Sequence, residues 1–219
     1  MVRPANYVTP VLTALAGSNA DLFPTILEVY VPDGSIVLDA TYGTGVFWRK
    51  VDETKYHLTK NDLDPSRGDT HDDFRHMPQK ECTFDAVVLD PPYLYVGGFK
   101  TLKDSIDRGY QNAARALGGI VGADAVNQMY ADGMMEAWRI LKPGGVLIVK
   151  CMDQVESSRL RSAIAILVPI AKLMLFELLD IFVLVQRGKP CMRHPYQMHA
   201  RRNHSYFLVL KKKTSGRKK

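Results

Sequence analysis

Cysteine is scarce. The chain has three, Cys82, Cys151 and Cys191, widely separated and odd in number. That pattern excludes a disulfide framework and a zinc ribbon, and it fits a reducing compartment. None of the three sits in a nucleophile-like context. Long apolar runs are also missing. The best, residues 163 to 185, is interrupted by Pro169, Lys172, Glu177 and Asp180, so no membrane span and no membrane partner are expected. The opening Met1-Val2-Arg3-Pro4-Ala5-Asn6 lacks the apolar core of a secretory signal, and a cytoplasmic protein is expected. There is no internal repeat, and no linker divides the chain.

Acidic residues are missing from one end. From Arg187 onward there are 11 Lys or Arg and no Asp or Glu, whereas the preceding residues are net acidic. Arg187, Lys189, Arg193, Arg201 and Arg202 interleave with His194, Tyr196 and His204. Cations alternating with rings suit a phosphate backbone and unstacked bases. Residues 211–219 form a basic tail that reads equally well as a nucleic-acid contact or as a solubilising segment (in a eukaryote, an import signal).

What is present begins with 219 residues at 46% hydrophobic composition, enough for one well-packed α/β domain, taken as residues 1–210. The most informative stretch is Asp90-Pro91-Pro92-Tyr93. It ends the apolar run Phe84 to Leu89, which reads as a buried strand. Pro91 has no N–H, so its carbonyl and the Asp90 carboxylate can both face a ligand as acceptors. Two acceptors converging beside an aromatic ring suit a planar NH2 group on a heterocycle such as adenine or cytosine.

Upstream, Ser35 to Asp39 is another short apolar strand, and Asp39 followed by Gly43 and Gly45 gives D-x-x-x-G-x-G. Glycines are needed where backbone turns tightly and approaches a ligand. Val46-Phe47-Trp48-Arg49 is expected to open a helix whose amides favour a carboxylate. The dinucleotide fingerprint G-x-G-x-x-G is lacking. A strand ending near Asp62, 23 residues after Asp39, supplies an acidic group where a ribose diol would be held. Asp64, just before Pro65, reads as a turn residue. His71, Asp72, Asp73 and His76 match no zinc or calcium signature, and no metal is expected.

Together these motifs resemble S-adenosylmethionine-dependent amino-methyltransferases of nucleic acids, in which D-P-P-Y marks N6-adenine enzymes more often than N4-cytosine ones. The Gly-rich loop is similar to the family's D-P-F-x-G-S-G, with Ala40 and Thr41 in place of Pro and Phe. The resemblance covers about residues 35 to 150. It implies a Rossmann-like class I methyltransferase fold: a mostly parallel seven-stranded sheet with a C-terminal antiparallel hairpin and helices on both faces. It implies S-adenosylmethionine as cofactor, bound by Asp39, Thr41, Gly43, Gly45, Asp62 (ribose), Leu63 (adenine ring), and Asp73 with Phe74 (adenine amine and ring). Asp90, Pro91, Pro92 and Tyr93 would be catalytic, with Tyr93 stacking on the target base.

The loop before D-P-P-Y is the γ-type order, but no insertion or extension serves as a separate target-recognition domain. Recognition would fall to a glycine-hinged segment, 94–122, carrying Lys100, Lys103 and Arg108, and to Arg187, Arg193, Arg201 and Arg202. DNA is the expected partner, which would place the chain at the nucleoid, or in the nucleus of a eukaryote. RNA substrates, cytosine as target, a homodimer, a recognition subunit and a non-catalytic binding role stay open. Glutamine methylation is disfavoured, since that related family prefers Asn at position 90.

The remaining pattern predicts strands near 57–62, 146–150, 179–185 and 205–210, the last two forming the hairpin. It predicts a helix over 124–141 with Ala131, Met134, Met135, Trp138 and Leu141 on its apolar stripe. It predicts another over 157–175, kinked at Pro169. Residues 5–30 show helical spacing in places, with Asn19 or Asp21 as cap. Tyr7, Thr9 and Pro10 there are candidates for further cofactor contacts.

Overall fold

Alternation inside short apolar runs builds the centre of the molecule. The computed structural model describes residues 10–92, 123–156, 158–187, 200 and 202–214. Val37, Ala86, Val88, Val146 and Ile148 face one side of the sheet; Leu38, Val87, Leu89, Leu147 and Val149 face the other. All are buried, as expected for strands covered on both faces.

Among the described residues the main sheet has seven strands: β1 (Ala14–Ala16), β2 (Ile36–Asp39), β3 (His57–Lys60), β4 (Phe84–Leu89), β5 (Leu141–Cys151), β8 (Phe176–Val185) and β9 (His204–Lys212). Their spatial order is β1-β8-β9-β5-β4-β2-β3. Pairings are parallel except those of β9, which runs against both β5 and β8, so the sheet is mixed. A separate hairpin, β6 (Gln154–Glu156) with β7 (Arg159–Arg161), follows β5. Helix α1 (Asn19–Tyr30) covers one face through Leu22, Phe23, Ile26 and Leu27. Helices α2 (Ala123–Ile140) and α3 (Ala163–Leu173) cover the other. No helix among the described residues is long and apolar enough to cross a membrane.

Several expectations need correcting. The segment before α1 forms β1, an edge strand paired with Val183–Val185, and Ser18 rather than Asn19 or Asp21 is the N-cap. Asp21 is its capping-box partner, accepting from the Ser18 N–H at 2.8 Å. No α-helix follows the Gly-rich loop; a three-residue 3-10 turn, Trp48–Lys50, stands there. Phe47 and Trp48 sink into the core against Phe23.

The buried stripe of α2 is Val126, Met129, Tyr130, Met134, Ala137 and Ile140, whereas Met135 is 61% exposed. Of the expected stripe, Met134 and Leu141 are buried and Trp138 packs against their cluster, while Met135 faces outward. The helix expected from 157 begins only at Ala163, after β7, and Pro169 lies inside it. Strand β9 extends to Lys212, two residues into the supposed tail. Lys212 is buried, its Nζ donating at 2.7 Å to both the Trp138 and Leu141 carbonyls at the end of α2.

Candidate functional site

The chain order places a crevice where two motifs can meet. From β2 the chain passes to β3 on one side, and then to β4 on the other. Ligands of open α/β sheets bind at such a reversal, beyond the carboxyl ends of the strands. Here those ends carry Asp39 and the Gly-rich loop (β2), Asn61 and Asp62 (β3), Asp90 and Pro91 (β4), and Lys150 (β5).

The loop is fixed by backbone bonds on both sides. The Ala40 N–H donates to the Val88 carbonyl at 3.0 Å and the Tyr42 N–H to the Asn61 carbonyl at 2.8 Å. Gly43 and Gly45 have φ of +59° and +67°, a region that disfavours side chains. A Cβ on Gly45 would also strike the Tyr42 ring. The Gly43 N–H donates to Asp62 Oδ2 at 2.8 Å, and the Asp64 N–H to Asp62 Oδ1 at 2.8 Å. Asp62 therefore stands at the loop with lone pairs to spare. Asp64 caps the Ser66 N–H and hydroxyl, the turn role read from Pro65.

Asp39 is 2% exposed, and its oxygens are engaged internally: Trp48 Nε1 donates at 2.6 Å and the Thr41 N–H at 3.1 Å. Burial pushes its carboxyl up to about 7, with Asp90 and Asp62 adding to the rise and the two hydrogen bonds opposing it. Asp39 thus anchors the loop from below.

Asp90 is held differently. Its N–H donates to Thr41 Oγ1 at 2.6 Å, so the loop hydroxyl positions the strand end. Its Oδ1 is buried and finds no hydrogen-bond partner among the described residues. Burial raises its pKa, and the Lys150 cation opposes that rise. Such an orphaned acceptor is costly unless a ligand completes it. Pro91 is buried and Pro92 half-buried beside it. Tyr93 lies outside the described residues, as do Lys100, Lys103, Arg108, Arg193 and Arg201, along with Tyr7 and Thr9.

The acidic loop departs from expectation. Asp73 is gripped by Arg75, which donates from Nε at 2.9 Å and Nη2 at 2.6 Å; that pairing holds its carboxyl below the usual range. Phe74 is displaced from the site. Its buried ring packs under α2, where a Cβ on Gly133 would come within 2.7 Å of it. Core burial wins over presentation to a purine, since the ring fills the space that Gly133 opens. Leu63 is half-buried against the same cluster.

Three contributors were missed from sequence. Asn61 is fully buried and uses its whole amide: Nδ2 donates to the Ala40 and Asp72 carbonyls, and Oδ1 accepts from Thr70 Oγ1 and the Asp72 N–H. Trp48 clamps Asp39, and Lys150 faces Asp90. A lysine closing the apolar run Val146–Val149 was the available signal for the last. Arg187 and Arg202 flank the β8–β9 connection, at the same rim as Asp90. Arg187 donates to the Ala16 carbonyl and Arg202 to the Ala200 carbonyl.

No family model matches the chain, and no curated protein matches it. Solved structures do. The chain is similar to a SAM-dependent methyltransferase from Methanosarcina mazei, with a TM-score of 0.53 at 11% identity over 87% of this chain and 97% of that one. It is similar to TrmN from Thermus thermophilus, with a TM-score of 0.51 at 17% identity over 87% of this chain. A putative DNA modification methylase, also from Thermus thermophilus, aligns at a TM-score of 0.43 and 19% identity over 68% of this chain. The chain spans about half the length of those last two, 48% and 55%. The chain shares the fold of the first two of these structures.

Proposed function

We propose that this protein is an S-adenosylmethionine-dependent methyltransferase acting on N6 of adenine in DNA. The observation that carries the reading is Asp90: a carboxylate at a strand end, tied by Thr41 to the Gly-rich loop, with a buried oxygen lacking a hydrogen-bond partner among the described residues. An amine N–H brought to that oxygen would satisfy it.

The residues fit the cofactor. Asp62 and Asp90 bring acidic groups to the crevice, which favours a cation. Asp62 retains acceptor capacity for ribose hydroxyls. The missing helix after the loop removes one expected anchor for the methionine carboxylate.

When bound, S-adenosylmethionine supplies an electrophilic methyl carbon on a positively charged sulfur. Asp90 and the Pro91 carbonyl accept the two amine N–H bonds, favouring a more tetrahedral nitrogen and stabilising the positive charge that develops there. The transferred methyl would replace one amine proton, which would leave to solvent, while Asp90 and the Pro91 carbonyl would hold the nitrogen in place. Tyr93 would hold the base by stacking after it leaves the duplex. Arg187 and Arg202, with Lys100, Lys103, Arg108, Arg193 and Arg201, would hold the phosphates.

The test is nucleoside mass spectrometry after incubation of pure protein and cofactor with duplex DNA, single-stranded DNA or RNA. N6-methyladenine in DNA is the expected product. N4-methylcytosine, or methyladenine in RNA alone, would transfer the same chemistry to another target. No methylated base together with no cofactor binding by calorimetry would overturn the reading.

A further inference from the structure

A lysine lies where the core is otherwise aromatic. Lys150 is 2% exposed, with its Nζ 5.5 Å from the centroid of Phe47 and 5.6 Å from that of Phe207. It follows Val149, which is paired with Leu89, so Lys150 and Asp90 take the next position on adjacent parallel strands and share a face of the sheet. A methionine could fill this slot with similar bulk and no desolvation cost. What the lysine adds is a cation beside a carboxylate that has a buried, orphaned oxygen.

We infer that Lys150 is a positioning residue for Asp90, its ammonium keeping the neighbouring carboxylate ionised and ready to accept the substrate amine. This deepens the methyltransferase reading and rests on it for the identity of the amine. Only an ionised Asp90 has both oxygens free as acceptors; a protonated one would turn a donor toward the amine.

The surroundings work against ionisation without Lys150. Asp39 faces Asp90 from β2, with Asp62 beyond it at the end of β3; Cys151 and Asp153 follow on the β5 side. Burial disfavours a charge on Asp90, and Asp90 in turn raises the carboxyl of Asp39. Among these groups Lys150 is the one cation. Its own charge is disfavoured by burial and supported by Asp90, so each group holds the other charged. The rings of Phe47 and Phe207 add cation–π support.

The experiment is a 13C carboxyl NMR titration of Asp90, assigned by its loss in Asp90→Asn, in wild type, Lys150→Met and Lys150→Arg. Removing a nearby opposite charge should raise the Asp90 midpoint by about one unit or more. The arginine variant should stay close to wild type. The acid limb of the kcat profile should move up with the midpoint in Lys150→Met, while KM for the cofactor changes less than kcat.

An Asp90 midpoint unmoved in Lys150→Met would overturn the proposal. Should that variant not fold, the reciprocal measurement decides. The Lys150 ammonium, followed by its side-chain 15N signal, should titrate lower in Asp90→Asn than in wild type, and an unchanged value would also overturn it. The titrations need no substrate. A protein that shows the coupling but neither methylates a base nor binds the cofactor refutes the proposed function and leaves the pair standing. A wild type that methylates without the coupling does the reverse.

Discussion

The hydroxyl of Thr41 accepts the backbone N–H of Asp90 at 2.6 Å, joining two motifs that lie 49 residues apart in sequence. Through this bond the Gly-rich loop and the end of β4 behave as one unit, so the position of Asp90 depends on a side chain in the loop.

Replacing Asp90 with alanine should lower kcat by roughly 10²-fold or more, the usual cost of losing one preorganised charge-stabilising contact. Cofactor affinity should change little. Single-turnover methylation alongside calorimetry would check both. A variant retaining a tenth of the wild-type rate would remove Asp90 from the mechanism.

Thr41→Val keeps the shape and removes the acceptor. The Asp90 N–H then loses its partner, which should cost about 1–3 kcal/mol of stability. The loss should fall on kcat more than on cofactor binding, because the strand end moves while the loop keeps its other bonds. Thr41→Ser, which retains the hydroxyl, should recover most of both. Urea denaturation with steady-state kinetics separates the two effects.

Gly133→Ala pits two effects against each other. Alanine favours a helix by about 1 kcal/mol over glycine. Its Cβ, however, would sit 2.7 Å from the Phe74 ring and 3.3 Å from Leu89. Overpacking a core typically costs about 1–3 kcal/mol, so net destabilisation is expected. A fall of a few degrees in Tm would agree; a rise would show that the Phe74 ring can yield.

Asp39 gives the stability a pH dependence of defined sign. Its folded value of about 7 exceeds the unfolded one, so the folded chain binds the extra proton between roughly pH 4 and 7. That contribution is complete below the unfolded value and is lost as pH rises through the folded one. Its size is roughly a few kcal/mol. Urea denaturation from pH 4.5 to 7.5 should therefore show a shallower decline in Asp39→Asn than in wild type. Identical slopes in the two proteins would exclude Asp39 as the source.

Local pattern made much of this molecule legible. Phe84–Leu89 is a strand with the boundaries its apolar run suggested, and β2, β3, β8 and β9 lie where alternation and turn residues placed them. Asp90 and the glycines could be singled out because their chemistry is carried by residue type: an acid at a strand end, a Cβ-free turn. Phe74 could not be placed. Ring and acid next to each other look the same in sequence whether the ring meets a ligand or a helix, and the opening made by Gly133 decided for the helix. The helix expected after the Gly-rich loop failed for a similar reason. Phe47 and Trp48 can occupy one face of a helix or enter the core directly, and Phe23, from a different segment, supplied the contact that drew them in.

The sequence by itself determined which residues could bond, turn or carry charge, because those capacities belong to single side chains and to spacings of a few residues. Only the tertiary structure decided which of them meet. Asn61 binding two loops, Trp48 clamping Asp39, Thr41 holding Asp90 and Lys150 facing it all join residues from separate segments of the chain. Burial, which also sets whether these groups are charged, exists only once the strands are packed.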